Sequence, residues 1–363
     1  MSEEKSALNS YTMVLAFMLI AILFMLHMLQ QSTPVAPGAS GPGSFYGILI
    51  VDAALIACGI VIIRAGKNSM TGTMFCAYGA IEFIASLAVV MYTPEVGQPP
   101  SSSRMYLLGL FFIVLSLIEL LSSNKNRYAL TSIMLLSAAV YFSGLMGRGD
   151  YARMILPIIE ILLIVLAIYF AFALVSERFA LPFSESLKAE EITDFKKCGS
   201  MIGYIIIALL MAVDVLFDVS GLLALGEVVC FKIVGSITLL VVAVLLRSSG
   251  QMKYTPILFA MIGIIMLLGG TEANAFIGGV FTRNANAFYV LGTCMIIAGV
   301  FTLLRKDSRI LMAILCFAIG ACYITYGPGN LDLVGGVLAA ISMIVALYLA
   351  FAVSVDRIKL PLI

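Results

Sequence analysis

Polar residues in this chain fall in short clusters, separated by apolar runs of about 17 to 25 residues, close to the roughly 20 that a bilayer-spanning helix needs. Twelve such runs are found, at 12–29, 46–64, 72–93, 105–122, 128–146, 152–176, 200–219, 226–246, 254–270, 287–304, 309–326 and 331–354. Gly, Pro, Ser and Asn fill the links between them, as in 34–43 and 94–103. In lipid every backbone amide must be paired within its own segment, so long unbroken apolar runs predict helices. The fold class expected is an all-α polytopic membrane protein of about twelve transmembrane helices. No basic front region or small-residue cleavage pattern accompanies the first run, so it is expected to stay in the mature protein as a helix.

The pattern also repeats. Ala167-Ile168-Tyr169-Phe170-Ala171-Phe172-Ala173, followed by Glu177-Arg178 and Leu181-Pro182, returns as Ala346-Leu347-Tyr348-Leu349-Ala350-Phe351-Ala352 with Asp356-Arg357 and Leu360-Pro361, at an offset of 179. Leu108-Gly109 and Leu120-Leu121 return as Leu291-Gly292 and Leu303-Leu304, at an offset of 183. Six helices fall in each half. The expected organisation is a first repeat over 1–183, a mixed-charge cytoplasmic linker over 184–199 and a second repeat over 200–363.

Composition narrows the class further. The chain is 62% hydrophobic and 11% charged, with a mean hydropathy of +1.11, so it cannot build a water-facing surface. Its net charge of +1 gives no reason to expect nucleic acid as a partner. If the N-terminus is cytoplasmic, 16 of the 21 basic residues lie on the inner side. The expected location is therefore the plasma (inner) membrane, with both termini in the cytoplasm. Both halves give the same sign, which makes the repeat parallel rather than inverted. Of seven cysteines, Cys198 falls on the linker and six fall in helices. None has the spacing of a zinc or disulfide framework. There is no phosphate-binding loop, nucleophile elbow, paired-His metal site or dinucleotide fingerprint, so neither an enzyme nor a cofactor is expected.

Ionisable residues within the spans are functional candidates by default. His27 and Asp52 lie near the outer ends of the first two helices, within reach of one another. Asp214 and Asp218 share one face of the seventh helix, and Lys232 lies at a similar depth on the eighth. These residues are expected to form ion pairs tying neighbouring helices, or else an outer vestibule or a proton-relay element. Glu82 and Glu160 fall near mid-helix, where a lone carboxylate must be protonated or paired. The repeat gives neither a counterpart, since Glu82 aligns near Met266 and Glu160 near Ala339. Both are candidates for proton coupling or for neutral hydrogen bonds between helices. Small residues such as Gly263, Gly269-Gly270, Gly335-Gly336 and Ala85-Ser86 predict close helix packing.

The entry to the third helix, Lys67-Asn68-Ser69-Met70-Thr71-Gly72-Thr73-Met74-Phe75-Cys76-Ala77-Tyr78-Gly79, resembles that of the acetate uptake transporter (succinate–acetate permease) family. Asn68, Thr73, Phe75, Tyr78 and Gly79 match that family's element without a gap. Asn9, Leu15, Phe17 and Leu26-His27 resemble its N-terminal element if one residue is deleted after Leu15. Arg127 follows the fourth helix as the family's basic loop does, and Ala167-Ile168-Tyr169 through Leu181-Pro182 is similar to its closing element. The chain departs from the family in having Ser10 and Thr12 in place of two prolines, Ile81-Glu82 in place of an aromatic pair, no Trp, and two fused units.

The resemblance implies a narrow pathway through each bundle, with bundles in a ring of six, and hence a homo-oligomer of three chains. It places a hydrophobic constriction at Phe17, Tyr78 and Leu136. The second-half positions, near Ala208, Ile262 and Ala318, lack that bulky set. An apolar constriction gates by dewetting and suits a small solute crossing protonated or partly dehydrated. The expected function is a permease or channel for acetate or a related short monocarboxylate, coupled to protons. The alternatives are a urea or short-amide channel, and a membrane scaffold or sensor that transports nothing.

Overall fold

The computed structural model describes residues 2–32, 43–65, 69–91, 102–122, 124, 126–145, 150–176, 182, 195–219, 225–248, 254–271, 274–277, 280–283, 285–304, 310–327 and 331–354. Twelve α-helices lie among them. Those of the first unit are α1 (Ser2–Ser32), α2 (Gly43–Ala65), α3 (Ser69–Met91), α4 (Ser102–Leu121), α5 (Arg127–Leu145) and α6 (Asp150–Val175). Those of the second are α7 (Phe195–Asp218), α8 (Leu225–Ser248), α9 (Thr255–Thr271), α10 (Ala285–Leu304), α11 (Ile310–Tyr326) and α12 (Asp332–Ser354). Between α9 and α10 lies a short antiparallel ribbon, β1 (Asn274–Ile277) with β2 (Val280–Arg283), pairing Asn274 with Arg283 and Ile277 with Val280. The sequence reading contained no strand there.

The chain divides into two compact units, the first essentially Met1–Cys198 and the second Gly199–Ser354. Helix α7 begins at Phe195, so Cys198, read above as part of the linker, lies in a helix and is buried. The linker stretch 184–194, Asn68 of the third-helix motif, and the repeated pairs Glu177-Arg178 and Asp356-Arg357 lie outside the described residues.

The solvent of this fold is lipid. On α1 the exposed residues Tyr11, Leu15, Met18, Ile22 and Met25 recur every three or four positions, opposite the buried Met13, Phe17, Ile20 and Phe24. On α6 the exposed stripe is Ile158, Ile161, Leu162, Val165 and Phe172, and on α12 it is Leu333, Val337, Ile341 and Ile344. A helix face that is exposed and still wholly apolar over its length is built for acyl chains, not water. Eight helices are long and apolar enough to cross a bilayer, and Met105–Leu121, Thr255–Gly270 and Ile310–Tyr326 are shorter apolar helices. The protein is membrane-embedded, polytopic and all-α.

In the first unit each helix packs on its sequence neighbour and α6 returns to α1, closing a six-membered ring of contacts. In the second unit α8 to α12 pack in the same consecutive order. Glycines set the closest approaches. A Cβ at Gly79 of α3 would stand 3.0 Å from the Asp52 carbonyl oxygen and 3.0 Å from the Ile56 side chain of α2. A Cβ at Gly263 of α9 would stand 3.2 Å from the Ser236 carbonyl oxygen and 3.1 Å from the Leu240 side chain of α8. All three residues of the second contact follow their partners in the first by 184 positions. The two units therefore build the same helix pair in the same register.

Candidate functional site

One face of α3 organises the interior of the first unit. Thr71, Phe75, Tyr78, Glu82 and Ser86 recur at steps of three or four, so they stack along one stripe of the helix. At a rise of 1.5 Å per residue the stripe is about 22 Å long. All five residues are buried.

Together the members of the stripe reach α1, α4 and α5. Phe75 packs edge-on against Phe17 of α1, with ring centroids 5.1 Å apart, and Phe17 also touches Phe170 of α6 at 5.6 Å. Tyr78 lies 4.5 Å from the Phe112 ring of α4, and its hydroxyl is 2.7 Å from Ser137 Oγ of α5. One turn on, the Tyr141 hydroxyl of α5 donates to Glu82 Oε1. Both hydrogen bonds join residues 59 positions apart. That equality follows from geometry: α3 and α5 run the same way, and each offers polar groups four residues apart on one face. Phe112 stacks on Tyr141 at 5.7 Å with the planes only 8° apart, so one ring braces both tyrosines.

The acidic end of the stripe holds a second carboxylate. Asp52 of α2 is fully buried beside Glu82 and Ser86. Neither Asp52 oxygen has a partner within hydrogen-bond criteria among the described residues. His27 of α1 lies over this region, edge-on to Tyr141 at 6.3 Å and to Phe24 at 5.4 Å. Two acids, a phenol and an imidazole thus gather in the half of the ring where α1, α3 and α5 end.

At the other end of the stripe, Thr71 Oγ1 accepts from Asn124 Nδ2 at 3.2 Å and from Asn126 Nδ2 at 3.0 Å. Asn124 Nδ2 also donates to Glu119 Oε1 of α4 at 2.5 Å, and the Ser122 hydroxyl donates to the Glu119 carbonyl at 2.7 Å. These groups are all buried and pin the α4–α5 connection onto the first turn of α3.

The expected constriction residues are distributed along this interior. Phe17 and Tyr78 are buried within it, one turn of α3 apart through Phe75. Leu136 is half-buried, and the α5 residue that meets Tyr78 is its neighbour Ser137. Glu160 of α6 is fully buried. Sequence reasoning missed Ser137, Tyr141, Phe112, Glu119, Asn124 and Asn126, and read Ser86 only as a close-packing residue. The repeated four-residue spacing, Tyr78/Glu82 on α3 and Ser137/Tyr141 on α5, was the signal available for the central four groups.

The second unit has a polar interior of another kind. Lys232 Nζ of α8 lies 2.7 Å from Asp214 Oδ1 of α7, both side chains being buried. The ammonium faces the rings of Tyr323 and Tyr326 of α11, at 5.4 and 5.8 Å from their centroids. Asp218, one turn on from Asp214, lies beside Tyr326. Phe259 of α9 packs edge-on against Tyr204 of α7 at 5.1 Å, the counterpart of the Phe75–Phe17 contact, so an aromatic residue one turn before Ala208, and not Ala208, takes the place of Phe17. Among the described residues no group of three or more His, Cys, Asp or Glu side chains is placed to hold a metal ion.

The fold and its two interiors define a polytopic helical membrane protein with buried ionisable groups inside each unit. No family model, curated protein or solved structure matches the chain.

Proposed function

We propose that the first unit is a proton-coupled permease for small weak acids, with acetate and related short monocarboxylates as the substrate class. The observation carrying this reading is the α3 stripe, which places a buried hydroxyl pair, Tyr78 with Ser137, one turn from a buried acid–phenol pair, Glu82 with Tyr141, beside Asp52. Intramembrane carboxylates are costly to keep and are the usual carriers of transported protons. Phe17, Phe75 and Phe170 make an apolar ring next to the hydroxyl pair, which a neutral, protonated acid crosses more readily than its anion. Glu82 exchanges the proton, Asp52 is the neighbouring carboxylate to which it passes, and Tyr78 presents the hydrogen bond to the solute. The resemblance of the third-helix entry to the acetate uptake transporters supports the same substrate class. On this reading both termini face the cytoplasm and the bundles assemble as a ring, three chains to six units.

Uptake of labelled acetate into proteoliposomes tests the proposal. A proton gradient directed with the flux raises saturable uptake by the native chain. Glu82→Gln removes that stimulation while protein yield and helicity stay unchanged. Native uptake that ignores the gradient would sink the proton-coupled reading.

A further inference from the structure

Glu160 of α6 is fully buried, and proton exchange between Glu82 and Asp52 gives it no task. The register of α1 on α6 shows what it stands beside. Phe17 of α1 touches Phe170 of α6, with ring centroids 5.6 Å apart. From this contact α1 runs on through Ile20 and Phe24 to His27. Helix α6 runs back through Ala167 and Leu163 to Glu160, and the steps are three, four and three on both helices. Successive helices of the ring alternate in direction, so α1 and α6 are antiparallel and these positions pair one with another. The four residues between the two ends are buried, and His27 is half-buried. At a rise of 1.5 Å per residue, His27 and Glu160 share a level about 15 Å beyond the phenylalanines.

The second unit packs the same seam. A Cβ at Gly336 of α12 would stand 3.4 Å from the Asp218 Cβ of α7. One turn inward from that contact lie Asp214 and Ala339, the counterparts of His27 and Glu160 at offsets of 187 and 179. Asp214 draws its partner from the helix on its other side, Lys232 of α8 at 2.7 Å. The first unit has the apolar Ile48 in the place of Lys232, and the second has Ala339 in the place of Glu160. Each unit thus sets one ionisable residue beside the group that its first helix carries at this level. In the first unit that residue is Glu160. Either arrangement ties helices together, but only the first unit, which holds Glu82, has here a side chain that takes and releases protons near neutral pH.

We propose that His27 is the port through which protons reach Glu82, and that Glu160 is a positioning residue, the counter-ion of the His27 imidazolium. The imidazole takes its proton from water at the end of the bundle. Its ring stands edge-on to Tyr141 at 6.3 Å, and the Tyr141 hydroxyl donates to Glu82 Oε1. The imidazolium gives its N–H proton to the Tyr141 oxygen as the Tyr141 O–H proton passes to the Glu82 carboxylate. Imidazole and phenol end neutral and Glu82 ends protonated, so one proton has moved inward. Among the described residues, the ionisable groups around this end of the interior are Glu160 on α6, Tyr141 on α5, Glu82 on α3 and, one turn deeper than Ile48, Asp52 on α2. This inference rests on the proton-coupled reading of the first unit.

Two fluxes of labelled acetate, measured on the full-length chain in proteoliposomes, test it. Uptake driven by a proton gradient needs fresh protons, whereas exchange against internal unlabelled acetate at equal pH moves no net proton. His27→Gln is expected to cut driven uptake about a hundredfold and to spare exchange. Glu160→Gln cuts driven uptake about tenfold, Glu160→Asp restores most of it, and both spare exchange. Diethylpyrocarbonate added outside the vesicles modifies His27, the one histidine of the chain, and abolishes driven uptake by the native protein. Driven uptake that survives His27→Gln, a fall in exchange as large as the fall in driven uptake, or a histidine that the reagent does not reach would each overturn the port. Native uptake that ignores the gradient overturns instead the reading beneath it, and the port with it.

Discussion

The third helices of the two units start alike and then diverge. In register, α3 presents Thr71, Phe75, Tyr78, Glu82 and Ser86 where α9 presents Thr255, Phe259, Ile262, Met266 and Gly270. The aromatic contact is kept almost unchanged, Phe75 on Phe17 at 5.1 Å and 86° against Phe259 on Tyr204 at 5.1 Å and 88°. The polar groups above it are not. Glu82 becomes Met266, Asp52 becomes Ser236, and Ser137 becomes Ile319 at the matching place on α11. Only the phenol persists, as Tyr141 and Tyr323: the Tyr141 hydroxyl donates to a carboxylate, whereas Tyr323 offers its ring face to an ammonium and its hydroxyl has no partner among the described residues. The comparison separates scaffold from chemistry. Glycine contacts and the edge-on ring pair fix how the helices meet, while the sign of the buried charge is free to change.

The sharpest way to break that comparison is to unbalance the second unit's charge. Lys232→Met leaves Asp214 buried without its counter-ion and is expected to cost about 3–5 kcal/mol, whereas Asp214→Leu combined with Lys232→Met restores stability to near the native value. Unfolding in mixed detergent micelles measures both. Native-like stability in the single variant would mean that the pair is not buried as described.

A smaller effect tests the shared scaffold. Gly79→Ala and Gly263→Ala each push a methyl against a neighbouring backbone carbonyl, and each is expected to cost about 1–3 kcal/mol. Comparable losses from both would confirm that the contact does the same work in the two units. A loss from one alone would show that the register is not equivalent.

The mildest pair concerns the two phenols. Tyr141→Phe deletes a made hydrogen bond and should cost about 0.6–1.5 kcal/mol. Tyr323→Phe deletes a hydroxyl without a partner among the described residues and should be neutral in the same assay. Equal costs would erase the distinction between an occupied and an unoccupied hydroxyl.

Much of the fold could be read from the chain. Each apolar run became a helix because lipid forbids unpaired backbone, and all twelve helices start and end within a few residues of their runs, apart from the longer N-terminal extensions of α1 and α7. The α7 extension misled because Lys196 and Lys197 read as loop charges, whereas helix continuity carries through them. The ribbon β1–β2 was hidden since two four-residue strands leave no periodicity long enough to detect. For the site, Asp52, Glu82, Asp214 and Lys232 were visible because charge inside an apolar run is conspicuous. Their partners were not. A Tyr or Ser on an apolar helix reads as ordinary, and only the parallel course of α3 and α5 aligns Ser137 with Tyr78 and Tyr141 with Glu82. Glu119 stood at a helix end, where a carboxylate usually faces water. Its burial depends on Asn124 and Thr71 closing over it, a tertiary event with no local trace.

The matching glycine contacts on a single polypeptide have a genetic consequence. In an assembly of identical six-helix subunits, one codon change alters every copy at once, so a lysine entering the core would appear in all of them and abolish any acidic site they shared. Joining two copies end to end lifts that restriction. With the two units on one polypeptide, Lys232 stands where the first unit has Ile48, while Asp52 and Glu82 belong to the first unit alone. Two different buried chemistries on one chain are inherited together and made in equal number.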